Sequence, residues 1–312
     1  MSEARKGILA MVAACVIWGL SSLYYKLVAH VPPLEVLSHR TLWSLLFFGI
    51  VLSVQGRLGE IARLLRAPRV LALVFLAALM ISANWFMFIY SVQTGHAMQA
   101  SLGYYIFPLV AVMLGFVLLG ERLSAGKWAA VGLAAAAVGV LTWGLGAAPW
   151  ISLALAFTFG FYGLLKKGSP AGPVVSVTTE VLLLSPLALV WLWGVHVQGW
   201  EGLVGRNLGT FGHDLGDSLI LAASGVLTGG PLILFSYASK RVSLATVGLV
   251  QYVNPTLQFL VATLAFAEPV TPWHAVAFPL IWVALGVYSW DSLRQDRAAR
   301  RAEVSAGTSA TT

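Results

Sequence analysis

The stretch WAAVGLAAAAVGVLTWGLGAAPWISLALAFTFGFYGLL, residues 128–165, decides the fold because no charged side chain interrupts it. A helix crosses the apolar core of a bilayer with about 20 residues, so this stretch is too long for one crossing and suits two. Glycine and proline punctuate it at residues 144–149, which places a turn near its middle. The stretch therefore predicts two adjacent membrane-spanning helices.

The whole chain is also rich in apolar residues and poor in charged ones. Of the 312 residues, 59% are hydrophobic and only 10% are charged, whereas about 25% of residues are charged in ordinary soluble domains. A soluble fold of this length cannot bury so much apolar surface. We therefore expect a polytopic membrane protein in contact with the lipid bilayer. This composition excludes a soluble enzyme, a disordered protein and a nucleic-acid binder.

Eight further apolar runs bring the predicted number of spans to ten, and the predicted fold class is therefore all-α. The other spans cover residues 7–25, 34–54, 70–92, 97–119, 174–195, 218–239, 244–267 and 273–290. Between them we expect a basic loop at residues 55–69 and a polar, glycine-rich loop at residues 200–216. A tail that is charged and then rich in serine, threonine and alanine follows from Ser292, and we expect it to be disordered.

The cations alternate between the gaps that separate the spans. If the N-terminus lies inside, 16 of the 19 lysine and arginine residues fall on the inner side, and the exceptions are Lys26, Arg40 and Arg206. Short cytoplasmic loops of membrane proteins carry an excess of lysine and arginine. The distribution thus explains the net charge of +7 and predicts that both termini are cytoplasmic.

The chain also repeats itself. When Phe88 is placed on Phe235, residues 88–143 align with residues 235–290 at 12 identities in 56 positions. A second, slightly shorter offset aligns the earlier spans and places Lys26 on Lys167. Each half then holds five spans, and an odd number inverts the second half, which is typical of transporters. The predicted organisation is a first five-helix repeat at residues 1–148, an inverted repeat at 149–291 and a cytoplasmic tail at 292–312.

Spans two to four and the residues next to them carry a set of distinctive motifs. These motifs are Ala83-Asn84-Trp85, Phe88-Ile89-Tyr90, Gly95-His96, Ala100-Ser101-Leu102-Gly103-Tyr104, Pro108-Leu109-Val110, Gly120-Glu121-Arg122-Leu123 and His39-Arg40 followed by Trp43-Ser44. Together they resemble the RarD branch of the EamA-type drug/metabolite transporters. The resemblance implies ten helices in an inverted five-plus-five repeat and a permease role in the bacterial inner membrane. The sequence departs from the branch at Gln99, where a carboxylate is usual, and at Phe107, where an asparagine is usual.

A group of polar and aromatic residues lies inside the spans and is predicted to line a substrate cavity. A tyrosine or an asparagine at that depth needs a hydrogen-bond partner or a wet cavity. The alternative is a belt of aromatic residues at the membrane interface. The cavity candidates are Asn84, Trp85, Tyr90, Gln99, Tyr104, Tyr105, Tyr237, Gln251, Tyr252 and Asn254.

Ionisable residues inside the spans are few, and each is a functional candidate because a charge at the bilayer centre costs about 2.5–3.5 kcal/mol. The alignment that places Lys26 on Lys167 also places His39 on Glu180. His39, Arg40 and Glu180 are therefore predicted to couple transport to protons or to a charged substrate. In the alternative, Glu35, His39 and Arg40 lie in the outer headgroup zone, where Arg40 pairs with Glu35.

Two further patterns concern helix geometry. Pro108 and Pro255 fall in the middle of predicted spans, where each would kink its helix and act either as a hinge or as a static bend. Small residues in span five allow close helix packing, either within the chain or in a homodimer. They are Gly132, Ala135, Ala136 and Gly139.

The sequence favours a secondary transporter that moves small metabolites or drugs by alternating access, with proton coupling as an option. Nucleotide-binding and metalloprotease motifs are missing, and one cysteine allows no thiolate metal site within one chain. We therefore expect no enzymatic activity, no cofactor and no metal site. The alternative is a channel or a lipid scramblase, which would need a polar stripe along its helices.

Overall fold

The computed structural model describes residues 3–120, 122–146, 148–167, 171–201, 209–239, 241, 242, 247 and 250–309. The first half of the chain forms helices α1 (Glu3–Leu27), α2 (Pro33–Val54), α3 (Leu58–Leu65), α4 (Pro68–Gln93), α5 (Ala97–Leu119) and α6 (Ala125–Leu145). The second half forms α7 (Trp150–Lys167), α8 (Pro173–Gln198), α9 (Leu215–Ser239), α10 (Val253–Leu260), a π-helical turn (Val261–Ala265) and α11 (Pro272–Ser309).

Eight of these helices are long and apolar enough to cross a membrane, namely α1, α2, α4, α5, α6, α8, α9 and α11. Helix α7 and the combined α10 and π-helical turn are shorter apolar helices and complete the ten predicted spans. The all-α polytopic fold class is therefore confirmed. The start of span nine lies largely outside the described residues.

Local sequence signals explain where the helices begin and end. Pro33, Pro68 and Pro173 each stand in the first turn of a helix, where the missing N–H of proline leaves no hydrogen bond unmade. Gly120 and Gly199 end α5 and α8 with φ angles of 66° and 67°, a left-handed conformation that glycine adopts at low cost. These residues thus fix where the helices begin and end.

Two segments differ from the sequence-based expectation. The basic loop at residues 55–69 contains α3, whose Leu64 packs with Leu52 and Val175; apolar residues three and four apart form its buried face. The backbone after Ser292 also stays helical, as part of α11, up to Ser309, so the expectation of a disordered tail is not met. Alanine, arginine and glutamine are good helix formers, and they extend α11.

The helices of one half pack against those of the other half in a symmetric pattern. Helix α1 packs against α9, and α7, the counterpart of α1, packs against α4, the counterpart of α9. Helices α2 and α8, α5 and α10, and α6 and α11 pack directly against each other, and each of these pairs joins a helix to its own counterpart. A twofold relation between halves produces this pattern, which confirms the inverted five-plus-five repeat.

Contacts between loops sort the helix ends onto two sides of the bundle. On the side where α1 begins, here called the N-terminal side, Glu3 pairs with Arg241 at 2.8 Å, and Ser124 donates a hydrogen bond to Asp291. The second contact joins the start of α6 to the part of α11 that follows its apolar span. The last span therefore ends on the side where the first span begins, which agrees with an even number of crossings such as ten.

On the other side of the bundle, here called the opposite side, His30 lies 2.8 Å from Asp217. There, the Glu268 carboxylate accepts hydrogen bonds of 2.7 Å from the backbone N–H groups of Ala97 and Met98. Glu268 thus caps the first turn of α5 in the other half, a role that suits a carboxylate at a helix N-terminus.

Glycine residues allow the halves to approach closely. A Cβ atom on Gly225 of α9 would overlap the Trp43 carbonyl oxygen of α2, and a Cβ atom on Gly19 of α1 would lie 3.0 Å from the Asn254 carbonyl oxygen. Backbones this close leave no room for a side chain. Both contacts join one half to the other.

The small-residue stripe of span five points outward. Gly132 and Gly139 on α6 have no atom within 4 Å of an added Cβ, whereas Ala130, Ala134 and Ala137 form the buried face of the helix. The stripe therefore does not mediate packing among the described residues, and the homodimer stays a prediction.

The two candidate hinge prolines have different environments. Pro108 lies inside the continuous helix α5, as expected. Pro255 is the third residue of α10, and a turn at Tyr252 separates this helix from the helical residues 250 and 251. Proline has no N–H to donate to the carbonyl of Gln251, and the helix is interrupted at Tyr252, just before Pro255. This interruption agrees with the kink expected at Pro255, and the role of both prolines as hinges stays a prediction.

Candidate functional site

Arg40 lies in a cluster of aromatic residues, here called the arginine cluster, which consists of Tyr25, Arg40 and Trp85. The side chains come from α1, α2 and α4, and Arg40 is only 7% exposed. Its Nη1 donates a hydrogen bond of 2.6 Å to the Tyr25 hydroxyl, and its guanidinium carbon lies 4.1 Å from the centre of the Trp85 ring. The cation is therefore held by a phenol and an indole face, a known cation–π arrangement.

No ion pair among the described residues includes Arg40. Its Nε is buried and has no hydrogen-bond partner. The alternative in which Arg40 pairs with Glu35 is therefore wrong, because Glu35 accepts a hydrogen bond from the backbone N–H of Thr210 instead. A buried cation without a counter-ion is costly, and its planar fork of donors matches a carboxylate. The cluster is thus suited to bind an anionic group.

Asn84 and Tyr104 lie together, as the sequence suggested, but their polar atoms bond to the protein itself. The Tyr104 hydroxyl donates to Asn84 Oδ1 at 2.9 Å, and Asn84 Nδ2 donates to the Leu155 carbonyl at 3.0 Å and to Thr158 Oγ1 at 3.1 Å. Asn84 therefore connects α4 to α7, which is a contact between the two halves. Its burial is explained by these bonds without a wet cavity.

A second group of candidates meets where α5 crosses the broken helix. The hydroxyls of Tyr105 and Thr256 are 2.7 Å apart, and Ser101 Oγ donates to the Pro255 carbonyl at 2.8 Å. These two contacts join α5 to the start of α10 through polar side chains. Asn254 Oδ1 accepts a hydrogen bond of 3.0 Å from Gln258 Nε2.

The remaining candidates are more dispersed. Gln99 has a buried side-chain oxygen with no hydrogen-bond partner, and Gln251 and Tyr252 are half-buried near the break. Tyr90 contacts the Trp150 ring at the end of α4. Tyr237 is 37% exposed at the end of α9, which places it on the N-terminal side, and the structure does not bring it together with Tyr90.

Glu180 is fully buried and belongs to a cluster here called the glutamate cluster, which consists of Tyr162, Lys166, Ser176 and Glu180. Its Oε1 accepts hydrogen bonds from Lys166 Nζ at 2.6 Å and from Ser176 Oγ at 2.9 Å. Its Oε2 accepts one from the Tyr162 hydroxyl at 3.1 Å. The buried carboxylate thus has a cationic partner, and among the described residues its hydrogen-bond donors come from α7 and α8 of the second half.

Sequence reasoning missed Lys166, because it was counted among the cations of an inner loop. One signal could have found it. The alignment of the two halves that places Glu180 on His39 also places Lys166 on Tyr25, the residue that holds Arg40. One position, which is Tyr25 in the first half and Lys166 in the second, therefore belongs to a polar cluster in each half.

His39 lies in a third cluster, on the opposite side of the bundle. It is 4% exposed, and its ring stacks on Phe211 with centroids 4.6 Å apart. Donor atoms of Glu35, His39 and His196 lie within 4.8 Å of one another. His39 is therefore buried within the protein, and it lies in a different cluster from Glu180. Sequence reasoning missed His196, which joins this cluster from the far end of α8.

Comparisons with known proteins agree with this architecture. The model of the EamA-like transporter family matches residues 5–143. The protein RarD of Streptomyces exfoliatus is 43% identical over 98% of this chain and 96% of its own length. An uncharacterized transporter of Pseudomonas aeruginosa is 40% identical over 94% of this chain and 96% of its own length.

More distant matches also cover most of the chain. The chloramphenicol-sensitive protein RarD of P. aeruginosa is 30% identical over 94% of this chain and 97% of its own length. A crystal structure of a protein that is 19% identical superposes with a TM-score of 0.58 over 90% of this chain and 96% of that one, which shows a shared fold. This chain is a multi-pass membrane transporter that belongs to the RarD group of the EamA-like transporter family.

Proposed function

We propose that the protein is a secondary transporter that carries a small organic solute with one acidic group across the bacterial inner membrane by alternating access. The observation that carries this proposal is Arg40, a cation buried among aromatic rings without a carboxylate partner among the described residues. An anionic substrate group would provide the missing counter-ion.

The surroundings of Arg40 indicate the substrate class. The faces of Trp85 and Tyr25 offer apolar and aromatic surface next to the cation, which suits an amphipathic solute. One buried guanidinium suits one carboxylate or one similar acidic group, whereas a multiply charged substrate would require more cations. The substrate is therefore a singly anionic or zwitterionic compound with an apolar body.

The inverted halves support alternating access. Two halves related by a twofold axis in the membrane plane can expose a central site to each side in turn as they rock. The helix broken before Pro255 and the close contact of Gly225 with Trp43 lie between the halves, where such a motion would take place. The buried polar groups form separate clusters rather than one stripe, which disfavours a channel.

Proton coupling is part of the proposal, and Glu180 is its proposed carrier. A carboxylate that is paired with Lys166 in one state and released in the other would take up and lose a proton as the halves move. His39, which the sequence suggested for the same role, is not part of the proposed coupling because it lies in the cluster with His196.

The proposed orientation places the N-terminal side in the cytoplasm, because most of the cations lie there. Single cysteines at Ala125 and Leu215, both exposed, in a Cys15→Ser background test it. A membrane-impermeant maleimide should label Leu215→Cys from outside the inner membrane and label Ala125→Cys only after permeabilisation. The reverse pattern would contradict the orientation.

The proposed substrate class can be tested by comparing the compounds that cells release with and without the protein. Cells that contain the protein should release at least one carboxylic acid that cells without it retain. A matched control is Arg57→Gln, which removes a cation that is paired with Glu60 near the surface and should not change the released compounds. Changes confined to neutral or cationic compounds would overturn the proposed substrate class.

A further inference from the structure

Glu35, His39 and His196 form a set of donor atoms that the transport proposal does not use. Glu35 and His39 belong to α2 in the first half, and His196 belongs to α8 in the second half. Their donor atoms lie within 4.8 Å of one another. Glu35 Oε2 and His39 Nε2 are both buried and have no hydrogen-bond partner. We propose that these three residues bind one divalent transition-metal ion, with Zn²⁺ as the best match.

The chemistry of the three side chains supports zinc. Two imidazoles and one carboxylate form a ligand set that zinc sites use, and the fourth position stays open to water or another ligand. Imidazole donors also favour zinc, copper and nickel over magnesium and calcium. Glu35 and His39 are four residues apart on one helix, so both side chains leave α2 on the same face.

The spacing of the donor atoms is close to that of the ligands in a tetrahedral zinc site. Two ligands on a tetrahedral zinc ion lie about 3.4 Å apart, given bonds of about 2.1 Å. Glu35 Oε1 and His196 Nε2 are 3.8 Å apart. Rotation of the His196 side chain, which is 26% exposed, can close the difference, and the same exposure gives an ion a route from the opposite side of the bundle.

The neighbouring loop holds two of the ligands in place. The backbone N–H of Thr210 donates to Glu35 Oε1 at 2.9 Å, which orients the carboxylate. Oε1 keeps a second lone pair for a metal, and Oε2 has no hydrogen-bond partner. The Phe211 ring stacks on His39 at an interplanar angle of 28°, which limits rotation of the imidazole. Interactions of this kind orient metal ligands and raise the affinity of a site. The expectation of no metal site rested on sequence motifs, which could not show that His196 lies beside α2.

A bound ion would connect the two halves, because its ligands come from α2 and α8. If the halves rock during transport, an ion on the opposite side would hold them together there, and Zn²⁺ would slow transport. The binding itself goes beyond the proposed transport function and does not depend on it, so binding and transport are measured separately.

The test is a titration of the purified full-length protein in detergent with Zn²⁺ alone, followed by calorimetry, and with Co²⁺ as a spectroscopic substitute. We expect one Zn²⁺ per chain and the visible absorption of a Co²⁺ ion bound by nitrogen and oxygen. Loss of an outer partner of a metal site costs about 10- to 100-fold in affinity, so His196→Ala and Glu35→Gln should each lower the affinity by at least about tenfold.

The matched control is His30→Ala, which removes an exposed histidine on the same side that pairs with Asp217 and should keep the parental affinity. Size-exclusion chromatography and the melting temperature check that each variant is folded. His196 lies in the last turns of α8 and is partly exposed, so His196→Ala should fold normally. The absence of saturable binding by the parental protein would overturn the proposal, as would unchanged affinity in folded His196→Ala.

Discussion

Replacement of Arg40 by glutamine is expected to reduce transport of the acidic solute by roughly 10- to 100-fold. A hydrogen bond to a charged group contributes about 1.5–3 kcal/mol, and each 1.4 kcal/mol corresponds to about tenfold in affinity. Glutamine keeps a polar side chain but removes the positive charge that would attract the acidic group. Arg40→Lys should recover part of the loss, because lysine keeps the charge but not the planar fork of donors.

The melting temperature of the Arg40→Gln variant distinguishes this substrate-binding role from a structural role. A buried arginine without a counter-ion costs energy in the membrane, so Arg40→Gln should melt at the parental temperature or above it. If Arg40 served only to connect Tyr25 and Trp85, its loss would lower the melting temperature and reduce transport in proportion to the lost protein.

The measurement is uptake of the exported acid into proteoliposomes that contain equal amounts of folded protein, with Arg57→Gln as the control for a lost surface cation. Parental uptake by folded Arg40→Gln would contradict the binding role, and a lower melting temperature with parental uptake per folded molecule would indicate the structural one.

The second large effect is expected at Glu180. Glu180→Gln should lose accumulation driven by a pH gradient and keep the exchange of substrate across the membrane. An amide has nearly the same volume as a carboxyl group and can still accept hydrogen bonds from Lys166 and Ser176, but it cannot take up and release a proton. Coupling is therefore lost while the transport path stays open.

Because Glu180 pairs with Lys166, the single substitution also affects stability. A double variant that removes both partners distinguishes lost coupling from lost stability. Removal of one partner of a buried pair costs about 3–5 kcal/mol, whereas removal of both partners is often tolerated. The Lys166 side chain is 22% exposed, so we expect a cost at the lower end of that range for Glu180→Gln. The Lys166→Gln, Glu180→Gln double variant should therefore melt closer to the parental temperature.

Gradient-driven accumulation and exchange are then measured in proteoliposomes for the parental protein, the single variant and the double variant. Both variants should exchange substrate without accumulating it. Accumulation at the parental rate in the stable double variant would refute coupling by Glu180 and leave the glutamate cluster with a purely structural role.

Much of the fold could be predicted from the sequence, because the bilayer imposes strict rules. A backbone in lipid must satisfy its hydrogen bonds within each helix, and the apolar core sets the length of a span. The uncharged residues 128–165 therefore had to form two helices. The alternation of cations and the internal repeat then indicated five-plus-five inverted halves. The short helix α3 was missed because its amphipathic face covers only 8 residues, too few to stand out in a basic loop.

The candidate site could be predicted only as a set of residues. Burial costs singled out Arg40 and Glu180, since charges inside spans are rare, but hydropathy does not indicate which helices are neighbours. Tyr105 and Asn84 were expected to line a cavity, and only the helix packing showed that they bond to Thr256 and to α7.

The sequence by itself determined that this chain crosses the membrane ten times in two inverted halves, because apolar length and charge placement are properties of each segment alone. The tertiary structure decided that Arg40 has aromatic neighbours and no carboxylate partner among the described residues, that Glu180 is paired with Lys166, and that His196 joins Glu35 and His39. Those relations join side chains on different helices, and a side chain's partners depend on how the helices pack rather than on the segment that carries it.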